Sequence, residues 1–315
     1  MKNLKIVLAL LSLIVVVLIL TTGSKEQKLS SKPLVATSNF AIYDLTKNIG
    51  GDKIELINIL PFGVDPHSFE PTPKIVAKLE KSKLFLYSGD VLEPWTQHLA
   101  SEVHKLDMSK YVTLKTLEDD EDEEHGEDHE EHEHHHHHHG AYDPHYWLDI
   151  ENMKQLSLVV TEQLSKIDPK NKHFFEKNKE QYIQQLDQLD GLYKQQLLEC
   201  KLDTIIVTHN AFSYLAERYG FKVESLTGLS TEAQPSAEDV KHLLQEIKEK
   251  NIQIIFFENF ANNKNIQTIA DDTGIKIDSL QPLGNITGEE MTLKLDYIDI
   301  MKINLDKIAE AMQCR

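Results

Sequence analysis

A long amphipathic segment in the middle of the chain, residues 168–199, constrains the fold more than any other feature. Six large apolar residues recur along it at spacings of seven, four, three, four and four, which places them on one face of a helix. They are Phe175, Tyr182, Leu186, Leu189, Tyr193 and Leu197. The pair Asp168-Pro169 is typical of a helix start. Thirty-two residues in one helix would extend for roughly 48 Å, so we predict a rod that joins two lobes.

On both sides of this segment, apolar stretches of strand length alternate with stretches of helical spacing. The predicted strands are 34–38, 54–60, 84–87 and 112–114 before it, and 204–208, 222–224, 252–257 and 275–280 after it. Such alternation is typical of a parallel sheet with helices on both faces. We predict the α/β class: two lobes, at 33–167 and 200–315, each with a mostly parallel sheet flanked by helices, joined by one long rigid helix at 168–199. The expected binding site is a cleft between the lobes, beyond the carboxyl ends of the strands.

The N-terminus indicates export. A basic start at residues 1–5 precedes an uncharged apolar run at 6–20 and small polar residues at 21–24. This order is typical of a secretory signal peptide. An uncleaved anchor is the alternative, because the run is only slightly shorter than a membrane span of about 17–25 residues. Residues 25–32 are expected to form a tether, and the rest of the chain to lie in the periplasm or on the outer face of the cytoplasmic membrane.

The sequence contains two cysteines, Cys200 and Cys314, and neither follows the apolar run, where a lipid-accepting cysteine would lie. In an oxidising compartment the two can pair, which would tether the end of the chain to its middle. Two unpaired thiols are the alternative.

The net charge of −18 is concentrated in one low-complexity segment. Residues 118–133 hold twelve acidic side chains and no lysine or arginine, and 118–140 contains only Asp, Glu, His and Gly. Such a segment cannot bury apolar surface, so we expect a mobile loop. Its nine histidines are His125, His129, His132, His134, His135, His136, His137, His138 and His139. Low-affinity capture of metal beside the cleft is the favoured interpretation, against a solvated spacer or an internal purification tag. The sequence contains no basic stripe, so it does not indicate a nucleic-acid partner.

Three further histidines lie where a strand or loop turns toward a helix: His67, His145 and His209. The first two stand in the tripeptide Asp-Pro-His, in which proline restricts the backbone before the imidazole. Three neutral imidazoles suit zinc, with one coordination position left open. The three lie 78 and 64 residues apart, so spacing does not separate a shared site from three structural histidines.

Several motifs resemble, in order, those of the metal-binding subunits of bacterial ABC importers for zinc and manganese. They are 63–71 (Gly-Val-Asp-Pro-His-Ser-Phe-Glu-Pro), 143–149 (Asp-Pro-His-Tyr-Trp-Leu-Asp), 208–220, and 228–236 from Gly-Leu-Ser to Pro-Ser. The resemblance covers about residues 33–312, and the acidic, histidine-rich insert is similar to that of the zinc-specific, ZnuA-like branch. It implies two lobes bridged by a rigid helix, no enzymatic activity, and His67, His145 and His209 as the metal ligands.

The resemblance also bears on the choice of metal. Manganese members tend to place a carboxylate at the position of His209, and a nitrogen ligand there favours zinc. Many relatives place a further carboxylate in the segment that matches 279–284, where this chain has Gln281 and Gly284. A water molecule, Gln281 or Glu258 is therefore the candidate fourth ligand, and Asp149 is a candidate for orienting an imidazole from behind.

We therefore expect a monomeric protein that binds Zn²⁺ as transported cargo and delivers it to a membrane permease. A manganese or broad-specificity carrier of the same build is the main alternative. A zinc hydrolase is less favoured because the sequence contains no His-Glu-x-x-His motif and no obvious general base beside a ligand. A metal-binding adhesin or metal buffer without a transporter is the remaining alternative.

Overall fold

The structure is a computed structural model that describes residues 32–100, 102–116, 142–227, 229, 236–258, 267, 270 and 273–315. The predicted signal or anchor at 1–24, the tether up to residue 31 and the acidic segment at 118–140 lie outside the described residues. Within the described part, no helix combines the length and the apolar character needed to cross a membrane.

Two four-stranded parallel sheets form the framework, as the alternating pattern predicts. The strands are β1 (Leu34–Thr37), β2 (Glu55–Asn58), β3 (Leu84–Tyr87), β4 (Lys105–Asp107), β5 (Thr204–Val207), β6 (Lys222–Ser225), β7 (Ile254–Phe257) and β8 (Lys276–Ser279). The first sheet has the order β2-β1-β3-β4 and the second has the order β6-β5-β7-β8. Every pair is parallel. The two sheets thus repeat one strand order, and each presents the carboxyl ends of its strands along one edge.

Helices surround both sheets. They are α1 (Phe40–Gly50), α2 (Pro73–Leu79), α3 (Ile150–Ile167), α4 (Lys172–Gln196), α5 (Ser213–Tyr219), α6 (Ala237–Lys250), α7 (Gly288–Leu293) and α8 (Tyr297–Ala311). The helix α3 is not among the predicted elements, although Ile150, Met153, Leu156, Val160 and Leu164 recur at helical spacing and are all buried. It packs along α4.

The long helix is shorter than predicted. Residues Pro169–Asn171 form a separate 3-10 turn, and α4 begins only at Lys172 and ends at Gln196, so it has 25 residues and extends for roughly 38 Å. The Asp168 side chain does not cap the helix and instead accepts a hydrogen bond from the Asn171 amide at 2.6 Å. The predicted apolar face is buried, and α4 packs against α1 and α3 on one side and α8 on the other.

One predicted strand is misplaced. The pattern indicates a strand at 112–114, whereas the edge strand of the first sheet is β4 at Lys105–Asp107. The backbone of Thr113 pairs instead with the side chain of Asn152 on α3, which accepts from its N–H and donates to its carbonyl, both at 3.0 Å. A side-chain amide therefore satisfies the groups that a neighbouring strand would have bonded.

The two halves of the molecule share one hydrophobic core. A continuous cluster of buried side chains includes Val35 and Leu86 from the first sheet, Ile205 and Phe256 from the second, and the inner face of α4. Backbone hydrogen bonds add to it, since the carbonyl of Gly284 accepts from the N–H at the start of α1 at 3.0 Å. Close packing of this kind resists a large change in the angle between the sheets.

A disulfide joins Cys200 to Cys314, so the structure contains the predicted pair rather than two thiols. Cys200 follows the end of α4 and Cys314 follows α8, and both are partly buried against the shared core. The bond thereby links the end of the chain to the exit of the long helix.

A buried carboxyl group lies where α1 meets the start of α8. Asp44 accepts hydrogen bonds from the backbone N–H of Tyr297 at 3.2 Å and from the amide of Asn48 at 3.0 Å. Burial, and then the negative charge of nearby Asp296, raise the pKa of the Asp44 carboxyl to about 7. The folded protein therefore retains a proton there that the unfolded chain releases near its ordinary pKa of 3.8.

We expect the contribution of Asp44 to the stability of the protein to fall as the pH rises from about 4 to about 7, because over that window the folded state binds more protons at Asp44 than the unfolded state. Asp44→Asn mimics the protonated group. It should be more stable than the unsubstituted protein above pH 7, by up to about 4 kcal/mol, with the advantage shrinking toward pH 4. Urea unfolding in the presence of a chelator measures this, with the exposed Asp306→Asn as the control. An advantage that does not change with pH would contradict it.

Candidate metal centre

His67 lies in the loop that leaves β2, within a 3-10 turn at Pro66–Ser68. The Asp65 side chain accepts a hydrogen bond from the backbone N–H of His67 at 2.9 Å, and the proline between them restricts the backbone. Asn285, from the segment after β8, donates to two backbone carbonyls at the start of the same loop, at 2.7 Å each. A side chain of the second lobe therefore fixes a loop of the first.

His145 stands in the same Asp-Pro-His motif, and the aspartate of this motif bonds to both its backbone and its ring. One oxygen of Asp143 accepts from the backbone N–H of His145 at 2.9 Å and lies 2.7 Å from the ring Nδ1. Because an ionised carboxylate can only accept, Nδ1 donates in this contact, and Nε2 is the ring nitrogen that faces His67. Trp147, two residues on, contacts the imidazole edge-on and donates its indole N–H to the carbonyl of Pro282 at 2.7 Å.

His209 comes from the second sheet. It follows β5, and Glu258 follows β7, the strand beside β5, so the two side chains meet at the carboxyl edge of that sheet. The Glu258 carboxylate accepts a hydrogen bond from Nδ1 of His209, and both groups are buried. Nε2 of the same ring lies 3.0 Å from the carbonyl oxygen of Leu229.

The three imidazoles converge on one point between the two sheets. A ring nitrogen of each lies within 4.8 Å of the others, and the Nε2 atoms of His67 and His145 are 3.2 Å apart. His145 and His209 are 2% and 1% exposed, and His67 is half-buried. Among the His, Cys, Asp and Glu residues of the described ranges, this is the one group of three or more placed to hold a metal ion. Three nitrogen donors at such separations suit a tetrahedral ion with one position open.

The electrostatics of the centre favour a cation over a proton at His67. Burial, and then the positive charge that His145 and His209 would carry, lower the pKa of the His67 imidazole to about 2. Burial also acts to lower the pKa of His209, but the charge and hydrogen bond of Glu258 outweigh it and raise that pKa. The pKa of Asp143 is lowered despite its burial, because His145 and Ser213 hydrogen-bond to its charged form. Two carboxylates thus supply negative charge behind the imidazoles.

The remaining predicted site residues have other contacts. Asp149 accepts from the backbone N–H of Glu151 at the start of α3 and pairs with Arg218 at 3.2 Å. The interpretation of Asp149 as an imidazole-orienting group is therefore wrong, and Asp143 and Glu258 are the acids in contact with imidazoles. The signal for Asp143 was the Asp-Pro-His motif itself, whereas the contact of Glu258 depends on the neighbouring positions of β5 and β7.

The segment considered for a fourth ligand is also occupied by internal contacts. The side-chain oxygen of Gln281 accepts from the backbone N–H of Leu283 at 3.3 Å, and its nitrogen donates to Glu290 at 2.9 Å. At Gly284 a Cβ atom would lie 3.0 Å from the ring of Pro66, so a longer side chain would press on the His67 loop. These contacts disfavour Gln281 as a ligand. The nine histidines of the acidic segment lie outside the described residues.

Glu258→Gln tests the charge behind His209. We expect the dissociation constant for zinc to rise by about 10–100-fold, because the neutral amide no longer raises the basicity of the imidazole or fixes its tautomer. Competition titration against a chelating dye measures it. The control is Glu217→Gln, whose exposed carboxylate on α5 pairs with Lys115 at 3.2 Å. An unchanged zinc affinity in Glu258→Gln would show that the contact is structural.

Comparison with known proteins identifies the family of this chain. The family model described as "ZnuA: Zinc-uptake complex component A periplasmic" matches residues 35–311. The chain is 36% identical over 297 residues to the "High-affinity zinc uptake system protein ZnuA" of Bacillus subtilis, covering 93% of this chain and 91% of that protein. It is 31% identical to the "Manganese ABC transporter substrate-binding lipoprotein PsaA" of Streptococcus mitis, covering 99% of each.

A solved structure has a similar fold. The Zn(II)-bound ZnuA-like domain of Streptococcus pneumoniae AdcA superposes with a TM-score of 0.73 at 29% identity, covering 89% of this chain and 99% of that one. Both the sheets and the long helix have counterparts in this fold. The chain therefore belongs to the ZnuA family, whose members are solute-binding subunits of ABC metal importers rather than enzymes.

Proposed function

We propose that this protein captures Zn²⁺ outside the cytoplasmic membrane and delivers it to the permease of an ABC importer. The observation that carries the proposal is the convergence of His67, His145 and His209 within 4.8 Å. The zinc-uptake protein of Bacillus subtilis and the Zn(II)-bound domain of AdcA support zinc as the cargo. All three ligands come from a single chain, so a monomer is sufficient for binding.

The donor set favours zinc over manganese. Three imidazole nitrogens form a borderline-soft ligand set, whereas Mn²⁺ prefers carboxylate, carbonyl and water oxygens. The carboxylates of Asp143 and Glu258 face Nδ1 atoms and so act behind the ligands. A water molecule at the fourth position fits this arrangement, because both ends of the Gln281 amide are already hydrogen-bonded.

Capture exchanges a proton for the metal at His209. Nδ1 of this ring contacts Glu258, and Nε2 contacts the carbonyl of Leu229. Two acceptors around one ring, together with a raised pKa, favour the protonated imidazolium. Zinc binding therefore replaces both the Nε2 proton and the Leu229 contact. The lowered pKa of His67 keeps this imidazole neutral, so it needs no deprotonation before it binds the ion.

The shared core makes capture a small movement. The two sheets are packed on one cluster with α4, and such packing resists a rotation of whole lobes. The expected closure is a local adjustment of the His67 loop and of Leu229. Release then depends on the docked permease, which has to separate ligands that come from different sheets.

Replacing any of the three histidines by alanine should weaken zinc binding by more than about 100-fold, since each removes a ligand and not only a group behind one. Calorimetric titration of the purified protein with zinc measures this. His98→Ala, an exposed histidine on the Pro94–His98 turn, is the control and should bind as the unsubstituted protein does. Undiminished binding in all three variants would exclude this site.

The manganese alternative is supported by the similarity to PsaA and is separated by competition. With the site loaded with zinc, a large excess of Mn²⁺ should fail to displace it if the nitrogen donors determine the selectivity. Displacement at comparable concentrations of the two ions would favour the broad-specificity carrier.

The acidic, histidine-rich segment is proposed to concentrate metal near the cleft at low affinity. Replacing residues 117–140 with a short Gly-Ser linker should abolish the weak zinc sites and leave one tight site, because the three ligands lie outside that segment. Titration stoichiometry measures the difference. The control for charge alone is a second linker, of the same length as the Gly-Ser linker, that contains acidic residues but no histidine. An unchanged number of zinc ions bound would contradict this role.

A further inference from the structure

The carboxylate of Asp143 makes contacts in two directions. One oxygen is bonded to the backbone and ring of His145, at 2.9 Å and 2.7 Å. The other oxygen accepts a hydrogen bond from the hydroxyl of Ser213. Asp143 is 2% exposed and Ser213 is buried as well, so water does not replace either contact in the folded protein. A single buried carboxylate therefore connects a metal-binding imidazole with a side chain of the second lobe.

The backbone of Asp143 is held by the same helix. Tyr214, the next residue of α5, donates its hydroxyl to the carbonyl of Asp143 at 2.8 Å and accepts from the backbone N–H of Lys115 at 3.0 Å. The N–H of Asp143 in turn donates to the Lys115 carbonyl at 3.0 Å. Side chain and main chain of Asp143 are thus both fixed, and two adjacent residues of α5 make these contacts.

The helix α5 is also the element that follows His209. It begins at Ser213, four residues after that histidine, and Arg218 near its end pairs with Asp149 at 3.2 Å and with Asp190 on α4 at 2.9 Å. These contacts hold α5 against the first lobe and the long helix. The contacts that lead from His145 through Asp143 and Ser213 to His209 therefore form a connected path between histidines of the two lobes, and this path does not pass through the metal position.

We propose that Asp143 and Ser213 form an interlobe bridge that positions His145 relative to His209 for metal binding. The inference rests on the proposed function of this site and adds two positioning residues to it. Ser213 touches no ligand. It acts by holding the carboxylate that orients His145, so any movement of α5 away from the first lobe also releases the ring of His145. Separation of the lobes would therefore also remove the contact that orients the ring of His145.

Removing the Ser213 hydroxyl tests the bridge without removing a ligand or a charge. Ser213→Ala should raise the zinc dissociation constant at least several-fold, and Asp143→Asn should raise it by about 10–100-fold. The matched control is Ser157→Ala, which deletes an equally buried serine hydroxyl on α3 that is bonded to the Met153 carbonyl at 2.8 Å. Unfolding of each variant in excess chelator measures its stability without metal. If the role of Ser213 were purely structural, this stability would change while the zinc affinity stayed constant.

The double variant Ser213→Ala, Asp143→Asn separates a shared path from two independent effects. If Ser213 acts through Asp143, the double variant binds zinc no more weakly than Asp143→Asn alone. The proposal would be overturned if the fold-changes in zinc affinity of the two single variants multiplied in the double variant. It would also be overturned if Ser213→Ala bound zinc as tightly as Ser157→Ala. Should Asp143→Asn fail to fold, Tyr214→Phe against Tyr193→Phe, whose hydroxyl is bonded to the Met301 carbonyl at 2.7 Å, tests the backbone side of the same bridge.

The outcomes also distinguish this inference from the function on which it rests. If the unsubstituted protein binds no zinc, or the three histidine variants bind as tightly as it does, the metal site itself is wrong. If those variants lose binding while Ser213→Ala and Tyr214→Phe match their controls, the site stands and only the interlobe bridge is refuted.

Discussion

The separation of the two sheets is the constraint on which this metal centre depends, because its ligands are attached to different sheets. One continuous hydrophobic cluster sets that separation, with side chains such as Val35 and Ile205 contributed from both sides and the inner face of α4 between them. Interiors packed to this density do not deform gradually, since any rotation opens voids and loses contacts. This packing therefore opposes a rotation of the two sheets relative to each other when a metal ion binds.

Burial of three imidazoles at one point disfavours their charged forms, and the surrounding groups shift the pKa values of His67 and His209 in opposite directions. Burial, and then the repulsion between charged imidazolium groups, lowers the pKa of His67 to about 2. Carboxylates behind His145 and His209 offset this repulsion and determine which ring nitrogen carries the proton. A divalent cation can then replace the protons. The two acids contact the Nδ1 atoms of these rings, so the groups that converge on the candidate site are imidazole nitrogens.

The correct predictions rest on apolar periodicity, whereas the incorrect ones come from polar side-chain contacts that this periodicity does not report. The parallel sheets and the buried face of α4 were predicted because apolar periodicity reports burial within one segment. The strand expected at 112–114 is absent because a side chain of α3, Asn152, bonds to that backbone. The expected start of the long helix at Asp168 is replaced by a 3-10 turn, since that carboxylate bonds to Asn171 and not to the helix N-terminus. Each error arises from a contact that the local pattern does not contain.

The α/β class, the joining helix and the candidate histidines could all be predicted from the sequence, because periodicity, turn residues and contiguous motifs are local properties. Motifs that match a known family in order added the expectation of a zinc carrier. The folded structure was needed to show that His67, His145 and His209 meet at one point, that Asp143 and Glu258 are the acids behind them, and that Asp149 pairs with Arg218 instead. These relations depend on the register of strands and on packing between distant segments, which fix distances that no spacing along the chain records.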